Sequence, residues 1–148
     1  MRHAAEPARP HDLREALDLL RRADLPETGV AEEFGHYLVV RDDGQVAGVC
    51  GLEVHGREGL LRSLAVDPTH RGHGLGALLV EGTVALAARI GLTDVYLLTT
   101  TARDYFIRNG FTDCPRDAAP AGIQESWEFR EGCPSSSAFL RRTIRASR

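Results

Sequence analysis

Between Leu64 and Gly76 the chain reads Leu64-Ala65-Val66-Asp67-Pro68-Thr69-His70-Arg71-Gly72-His73-Gly74-Leu75-Gly76. An apolar run ends at Val66, Pro68 enforces a turn, and glycines then alternate into a helix start. Glycine lets backbone amides approach a ligand closely. The first amides of a helix lack intrahelical partners and carry the positive end of its dipole. Amides converging in this way make a nest for an anion, phosphate above all, and Arg71 adds a positive charge beside it. Two other readings compete. Gly72-His73-Gly74-Leu75-Gly76-Ala77 satisfies the spacing of a dinucleotide-binding turn. That turn, however, follows a first strand and needs an acidic residue ending the next one. Here three strands come first, and Asp94 opens its strand rather than ending it. The third reading is a glycine-rich turn that only packs a helix on a strand.

The elements that must position this loop follow from hydrophobic period. Asp12–Ala23 reads as a helix, with Leu13, Ala16, Leu17 and Leu20 at helical spacing and Asp12 as its cap. A short amphipathic piece follows around Val30–Phe34. His36–Arg41, Gln45–Val54 and Leu60–Val66 read as three strands of an antiparallel meander, joined by turns at Asp42-Asp43-Gly44 and His55–Gly59. From Gly74 the apolar positions Leu75, Leu78, Leu79, Leu86 and Ile90 keep to one helical face, up to Gly91. Asp94–Thr99 is a further strand. Ala102–Asn109 is a helix that stops at Gly110, the glycine expected at a helix C-terminus. A short strand from Phe111, a helix from Pro120 to about Arg130 and a strand over Ser136–Ile144 complete the chain. The strand–helix–strand centre, Leu60 to Thr99, implies a parallel crossover inside a mostly antiparallel sheet, hence a mixed α+β fold.

Composition narrows the chemistry. The chain has 148 residues, which fits one domain, residues 1–148. Its 18 basic residues against 21 acidic give a net charge of −3, which disfavours nucleic acid and anionic membranes as partners. Every basic residue is arginine. Without lysine there is no Schiff base and no Walker-type phosphate lysine. The three cysteines, Cys50, Cys114 and Cys133, are odd in number and widely spaced, which suits a reducing cytoplasm better than a disulfide framework. His70 and His73 lie close, but no cysteine cluster joins them, so no metal site is expected. No apolar run is long enough to span a membrane, and MRHAAEPARP lacks the apolar region of a secretory signal.

Arg71-x-x-Gly74-x-Gly76, preceded by Leu64-Ala65-Val66-x-Pro68, resembles the coenzyme A loop of the GNAT superfamily of acetyl-CoA-dependent acetyltransferases. The segment Ala102–Phe111, a helix ending in Gly-Phe, is similar to that superfamily's second signature, and the order of elements agrees along nearly the whole chain. The resemblance implies a GNAT fold, with a mixed sheet, a central parallel β-α-β crossover and helices on both faces. It implies acetyl-CoA as cosubstrate, no metal, a small amine acceptor, and homodimers as a common state. In such a fold the strand at Leu64–Val66 splays from that at Tyr96–Thr100. The pantetheine arm then lies in the opening, pairing with Leu64 and Val66, and the pyrophosphate sits on amides of Arg71, Gly72, His73, Gly74, Leu75 and Gly76. Thr100 and Phe106 are further coenzyme contacts. The amide of Leu64 or Ala65 would stabilise the oxyanion, and the bound amine would attack the thioester directly. Many members place a tyrosine acid four residues before the glycine of Gly-Phe. Phe106 stands there instead, with Tyr105 about 100° around the helix, so the thiolate leaves unassisted, through water, or with Tyr105 recruited. For the amine's proton the candidates are Glu53 first, then Glu58 and His55.

Within the superfamily the chain is similar to the small arsenic-resistance N-acetyltransferases and, more distantly, to the acetyltransferase domain of N-acetylglutamate synthases. Leu60–Val66 and Leu97–Ala102 carry both likenesses. Arg116-x-x-Ala119-Pro120-x-x-Ile123, Glu128-Phe129 and Cys133-Pro134-Ser135 point to the arsenic group. Both groups imply an acceptor shaped like glutamate, such as arsinothricin. Arg62 and Arg116 could fork onto its acidic oxygens, with Ser63, Thr100 or Ser126 as hydrogen-bonding partners. Side-chain alternation sets Arg62 on the face of Leu64, about 7 Å along the strand, unless a bulge intervenes. Acetylation of a protein N-terminus or another small amine, and a non-catalytic acyl-CoA sensor, are the competing functions.

Overall fold

The computed structural model describes His3–Ile144. Its seven strands lie in one sheet, in the order β1-β2-β3-β4-β5-β7-β6. They are β1 (Glu6–Pro7), β2 (Tyr37–Asp42), β3 (Gln45–His55), β4 (Glu58–Val66), β5 (Asp94–Thr99), β6 (Thr112–Asp113) and β7 (Ala138–Thr143). The helices are α1 (Leu13–Arg22), α2 (Leu75–Arg89), α3 (Arg103–Arg108) and α4 (Ala121–Gln124). The chain forms two compact units. One comprises residues up to Glu53 together with Leu61–Leu86, the other Val54–Leu60 with the residues from Ala87 on.

In the first unit β1 pairs antiparallel with β2, and β2 with β3. The β2–β3 turn is Asp43-Gly44, with φ 51° and 78°. Two successive left-handed residues are what a two-residue hairpin needs to match strand twist, and the turn sets Asp42 opposite Gln45. The core gathers Ala16, Leu19 and Leu20 from α1, Val30 and Phe34, then Tyr37, Val39, Val46, Val49 and Ala65 from the strands. Helix α2 reaches the sheet at Gly48, where an added Cβ would stand 2.9 Å from Leu79 Cδ1.

In the second unit β4 and β5 run parallel, in register from Glu58↔Asp94 to Leu60↔Tyr96. This is the expected crossover. Beyond it β5 pairs antiparallel with β7 along its whole length, and β6 adds to the other edge of β7. Leu60, Tyr96, Ala119, Ile123 and Phe139 form the core, with the Tyr96 and Phe139 rings stacked at 5.4 Å.

Three expectations need correction. Asp12 does not cap α1. Its carboxylate accepts the Arg9 amide proton at 2.7 Å, closing the 3-10 turn Pro10–Asp12, and binds Arg41. The buried stripe of α2 is Leu75, Leu79, Thr83 and Ala87, one turn apart, with Val80 beside it, whereas Leu78 and, just past the helix, Ile90 are exposed. The helix expected over Pro120–Arg130 breaks after Gln124. Ser126 Oγ donates to the Ile123 carbonyl at 2.6 Å and accepts from the Phe129 amide, offering the backbone a local alternative, and a wider turn follows over Glu128–Gly132. Strand β1 was not expected at all.

Candidate active site

Ser63 sits inside β4 with φ 62°. A left-handed residue within a strand breaks simple side-chain alternation, as in a bulge. Arg62 and Leu64 therefore do not share a face by simple alternation. Arg62 is buried. Its Nη1 donates to Glu53 Oε2 at 3.0 Å, and its Nε donates to Ser63 Oγ at 3.2 Å. Ser63 Oγ also lies 2.9 Å from the Tyr37 hydroxyl. Tyr37 is clamped: an added Cβ at Gly51 would stand 2.1 Å from its Cζ, and the Phe34 ring lies 5.4 Å away. Gly29, with φ 80°, brings a turn down on the same guanidinium, since a Cβ there would stand 3.3 Å from Arg62 Nη1.

The proton acceptor and the anion anchor expected from the sequence are thus bonded to each other. Breaking such a buried pair by removing one partner costs about 3–5 kcal/mol, because the other charge is left uncompensated. Chemically, a carboxylate beside a guanidinium is complementary to a small molecule bearing both an ammonium and an acid group. Cys50 packs underneath, its Sγ 3.8 Å from the Arg62 carbonyl. Burial pushes its thiol up to about 12, so it is a neutral packing group and no nucleophile.

The glycine loop lies in the same unit. Asp67 organises its approach. The Asp67 amide donates to the Ala47 carbonyl at 2.8 Å, while its Oδ1 accepts from the Thr69 amide and hydroxyl at 2.9 and 2.8 Å. These bonds, with the Thr69 amide foremost, hold the Asp67 carboxyl below the usual range. Gly72 and Gly74 have φ 86° and 76°, and a Cβ at either would meet no atom within 4 Å. Glycine is needed there for the left-handed backbone, and the space above it is open. The Leu78 amide bonds to the Gly74 carbonyl at 3.2 Å, which makes Gly74 the residue at the helix cap. The amides of Leu75, Gly76 and Ala77 thus precede the first intrahelical bond. Arg71, Gly72 and His73 are exposed, and buried Leu75 anchors the helix behind them.

The remaining candidates fall in the second unit. Thr100 is exposed just after β5, where Thr99 Oγ1 accepts the Ala102 amide at 3.0 Å. Phe106 is a core ring, edge-on to Tyr105 at 5.4 Å and to Phe111 at 5.8 Å. Arg116 Nη1 donates to the Ser137 carbonyl at 3.2 Å, and its guanidinium lies 4.7 Å above the Phe129 ring. Ser126 is used up within its own turn. Glu58 opens β4 opposite Asp94, and half-buried His55 has Gly122 close against it. Two participants were missed from sequence. Tyr37 reads there as one more strand aromatic, and Gly29 as a simple breaker. Neither carries a local signal of its link to Ser63 or Arg62.

The GNAT acetyltransferase domain model matches residues 33–113, over half of the chain, and the chain belongs to that family. It is an N-acetyltransferase, and its cosubstrate is acetyl-CoA. An uncharacterised N-acetyltransferase of Chlorobaculum tepidum is 30% identical over 110 residues, covering 74% of this chain and 68% of the relative. An amino-acid acetyltransferase of Ralstonia nicotianae is 29% identical over 102 residues, covering 66% of this chain but only 23% of that longer protein. Among solved structures, N-acetylglutamate synthase of Neisseria gonorrhoeae, in complex with coenzyme A and N-acetyl-glutamate, superposes with a TM-score of 0.80. The identity is 19%, over 98% of this chain and 36% of that one, a likeness of fold. Among the described residues no helix is long and apolar enough to cross a membrane.

Proposed function

We propose that the acceptor is a glutamate-like α-amino acid, with arsinothricin among its members and arsenic resistance in the cytoplasm as the biological role. The observation that carries this reading is the Arg62–Glu53 pair, 3.0 Å apart and joined through Ser63 to Tyr37 at the β4 bulge. Arg62 is suited to hold an acidic group of the acceptor. Glu53, ion-paired with Arg62 in the fold, is suited to hold the ammonium and to take its proton through water. Ser63 orients both. The amino-acid acetyltransferase relatives support an amino acid as acceptor.

The glycine loop fits the coenzyme. Its left-handed glycines leave open space above the nest, and the amides from Arg71 to Gly76 would receive the pyrophosphate. Acetyl-CoA supplies the acetyl group as a reactive thioester. Backbone groups of Leu64, Ala65 and Val66 would line its arm. The Leu64 amide, next after the bulge, is the proposed donor to the acetyl oxygen. Thiol release from acetyl-CoA tests the acceptor, measured with glutamate, arsinothricin, glutamine, simple alkylamines and an N-terminal peptide. The expected order puts the two diacidic amino acids first. Equal turnover of uncharged alkylamines would overturn the acceptor class. Gly74→Glu tests the loop: a folded variant with unchanged coenzyme affinity would remove that assignment.

A further inference from the structure

His70 ends the 3-10 turn Pro68–His70, immediately before the loop begins at Arg71. Its Nε2 lies 2.7 Å from Asp42 Oδ2, at the end of β2, and its Nδ1 lies 3.1 Å from Thr69 Oγ1. Thr69 Oγ1 donates to Asp67 Oδ1 at 2.8 Å. The protons can be counted. An ionised carboxylate only accepts, and a hydroxyl has one proton to give. Asp67 takes the Thr69 proton, so Thr69 can meet Nδ1 only as an acceptor, and Nδ1 must carry a proton. Asp42 requires another on Nε2. All three contacts hold together only with His70 as an imidazolium, and a neutral ring forfeits one of them. The carboxylates agree with this count. Asp42 is held below the usual range chiefly by its bond to His70, and Asp67 chiefly by the Thr69 amide. Also facing the cluster are the His3 ring, 3.6 Å from Asp42, and the Arg22 guanidinium, 3.9 Å from Asp67. Arg71 follows next in the chain.

We propose that His70 is a positioning residue for the coenzyme: as an imidazolium bridging Asp42 and the Asp67–Thr69 turn, it latches the start of the anion-binding loop to the β2–β3 hairpin. The proposal rests on the reading that the Arg71–Gly76 loop holds the pyrophosphate. With the latch, the amides of that loop are aligned before the coenzyme arrives, and a positive charge stands beside the nest. Without it, the loop must be ordered on binding.

The test is calorimetric titration of coenzyme A into the wild type, His70→Ala, His70→Gln, Asp42→Asn and Gly74→Glu, with melting curves to establish folding. His70→Ala should weaken coenzyme binding about tenfold, or about 1.4 kcal/mol, while the acceptor KM stays unchanged in steady-state assays. His70→Gln keeps a donor for Asp42 without the charge and should fall between. Across a pH series, wild-type affinity should decline relative to His70→Gln as pH rises, because only the protonated ring makes all three contacts. Titration of the coenzyme's own phosphate cancels in that comparison. Asp42→Asn approaches the same latch from the other strand and serves if His70→Ala does not fold. Loss of binding in Gly74→Glu with undiminished affinity in the folded His70 and Asp42 variants overturns the latch alone. Undiminished affinity in Gly74→Glu as well overturns the loop reading beneath it. Identical pH profiles for wild type and His70→Gln overturn the imidazolium.

Discussion

Replacing Arg62 by lysine separates its two tasks. The ammonium keeps a positive charge opposite Glu53, so the buried pair is not orphaned and the fold should survive. What disappears is the planar fork, including the Nε–H that binds Ser63 Oγ at 3.2 Å. A hydrogen bond to a charged group is worth about 1.5–3 kcal/mol. Losing one such bond to an acidic acceptor should therefore lower kcat/KM for that acceptor roughly 10- to 150-fold. The loss should fall mainly on the acceptor KM. The KM for acetyl-CoA should hardly move, because the loop amides are untouched. Thiol-release kinetics with glutamate and with an alkylamine lacking any acid supply the comparison. A selective loss for glutamate is the expected outcome. An equal loss for both amines would mean that Arg62 is structural. A raised KM for acetyl-CoA would move the arginine into the coenzyme site and refute the acceptor geometry.

Three further outcomes follow from contacts already described. Gly51→Ala places a methyl against the Tyr37 ring, 2.1 Å from Cζ before relaxation. It should destabilise by about 1–3 kcal/mol and raise the acceptor KM as Tyr37 leaves Ser63, both read from melting curves and kinetics. Burial opposes ionisation of Asp12, but the Arg9 amide and the Arg41 guanidinium win and hold its carboxyl below the usual range. Its contribution to stability is thus fully present above the unfolded carboxylate value, about 3.9, and fades as pH falls through the lower folded one. Wild type should lose melting temperature there more steeply than Asp12→Asn, and parallel curves would refute this. Phe106→Tyr adds a hydroxyl to a buried ring packed on Phe111. The melting point should fall by several degrees while turnover drops less than about a hundredfold, and a larger loss would show the position too tight for an acid.

Much of the frame was legible because local rules and tertiary demands agree. Asp94–Thr99 is a strand with the bounds its β-branched and aromatic run suggests. Helix α3 ends before Gly110, whose φ of 92° is the left-handed stop that glycine supplies. The β4–β5 parallel pair follows from a helix lying between two strands. The candidate site was half legible. The loop could be read because its glycines alternate within one short stretch of sequence. The Arg62–Glu53 bond could not, since it joins two strands whose register no single-strand pattern fixes. The bulge was hidden because serine carries no signature of left-handed backbone. The break at Ser126 was hidden because helical period continues through it while its hydroxyl takes the Ile123 carbonyl.

The backbone of Ser63 inverts the ordinary rule for what a strand position tolerates. Within β4 the expected favourites would be valine, isoleucine and threonine, whose branched side chains suit a pleated surface. At φ 62° those three are the most penalised residues. Glycine, usually poor in a strand, fits the backbone without strain. Yet glycine would forfeit the hydroxyl that meets Tyr37 and the Arg62 Nε. The position therefore answers to two selections that pull apart, one on torsion angle and one on hydrogen bonding. Asparagine and aspartate enter the left-handed region more readily than other side chains and also carry an oxygen. The acceptable alphabet at residue 63 thus shrinks to a handful of small polar residues, in a strand that otherwise buries Leu60, Leu61 and Ala65.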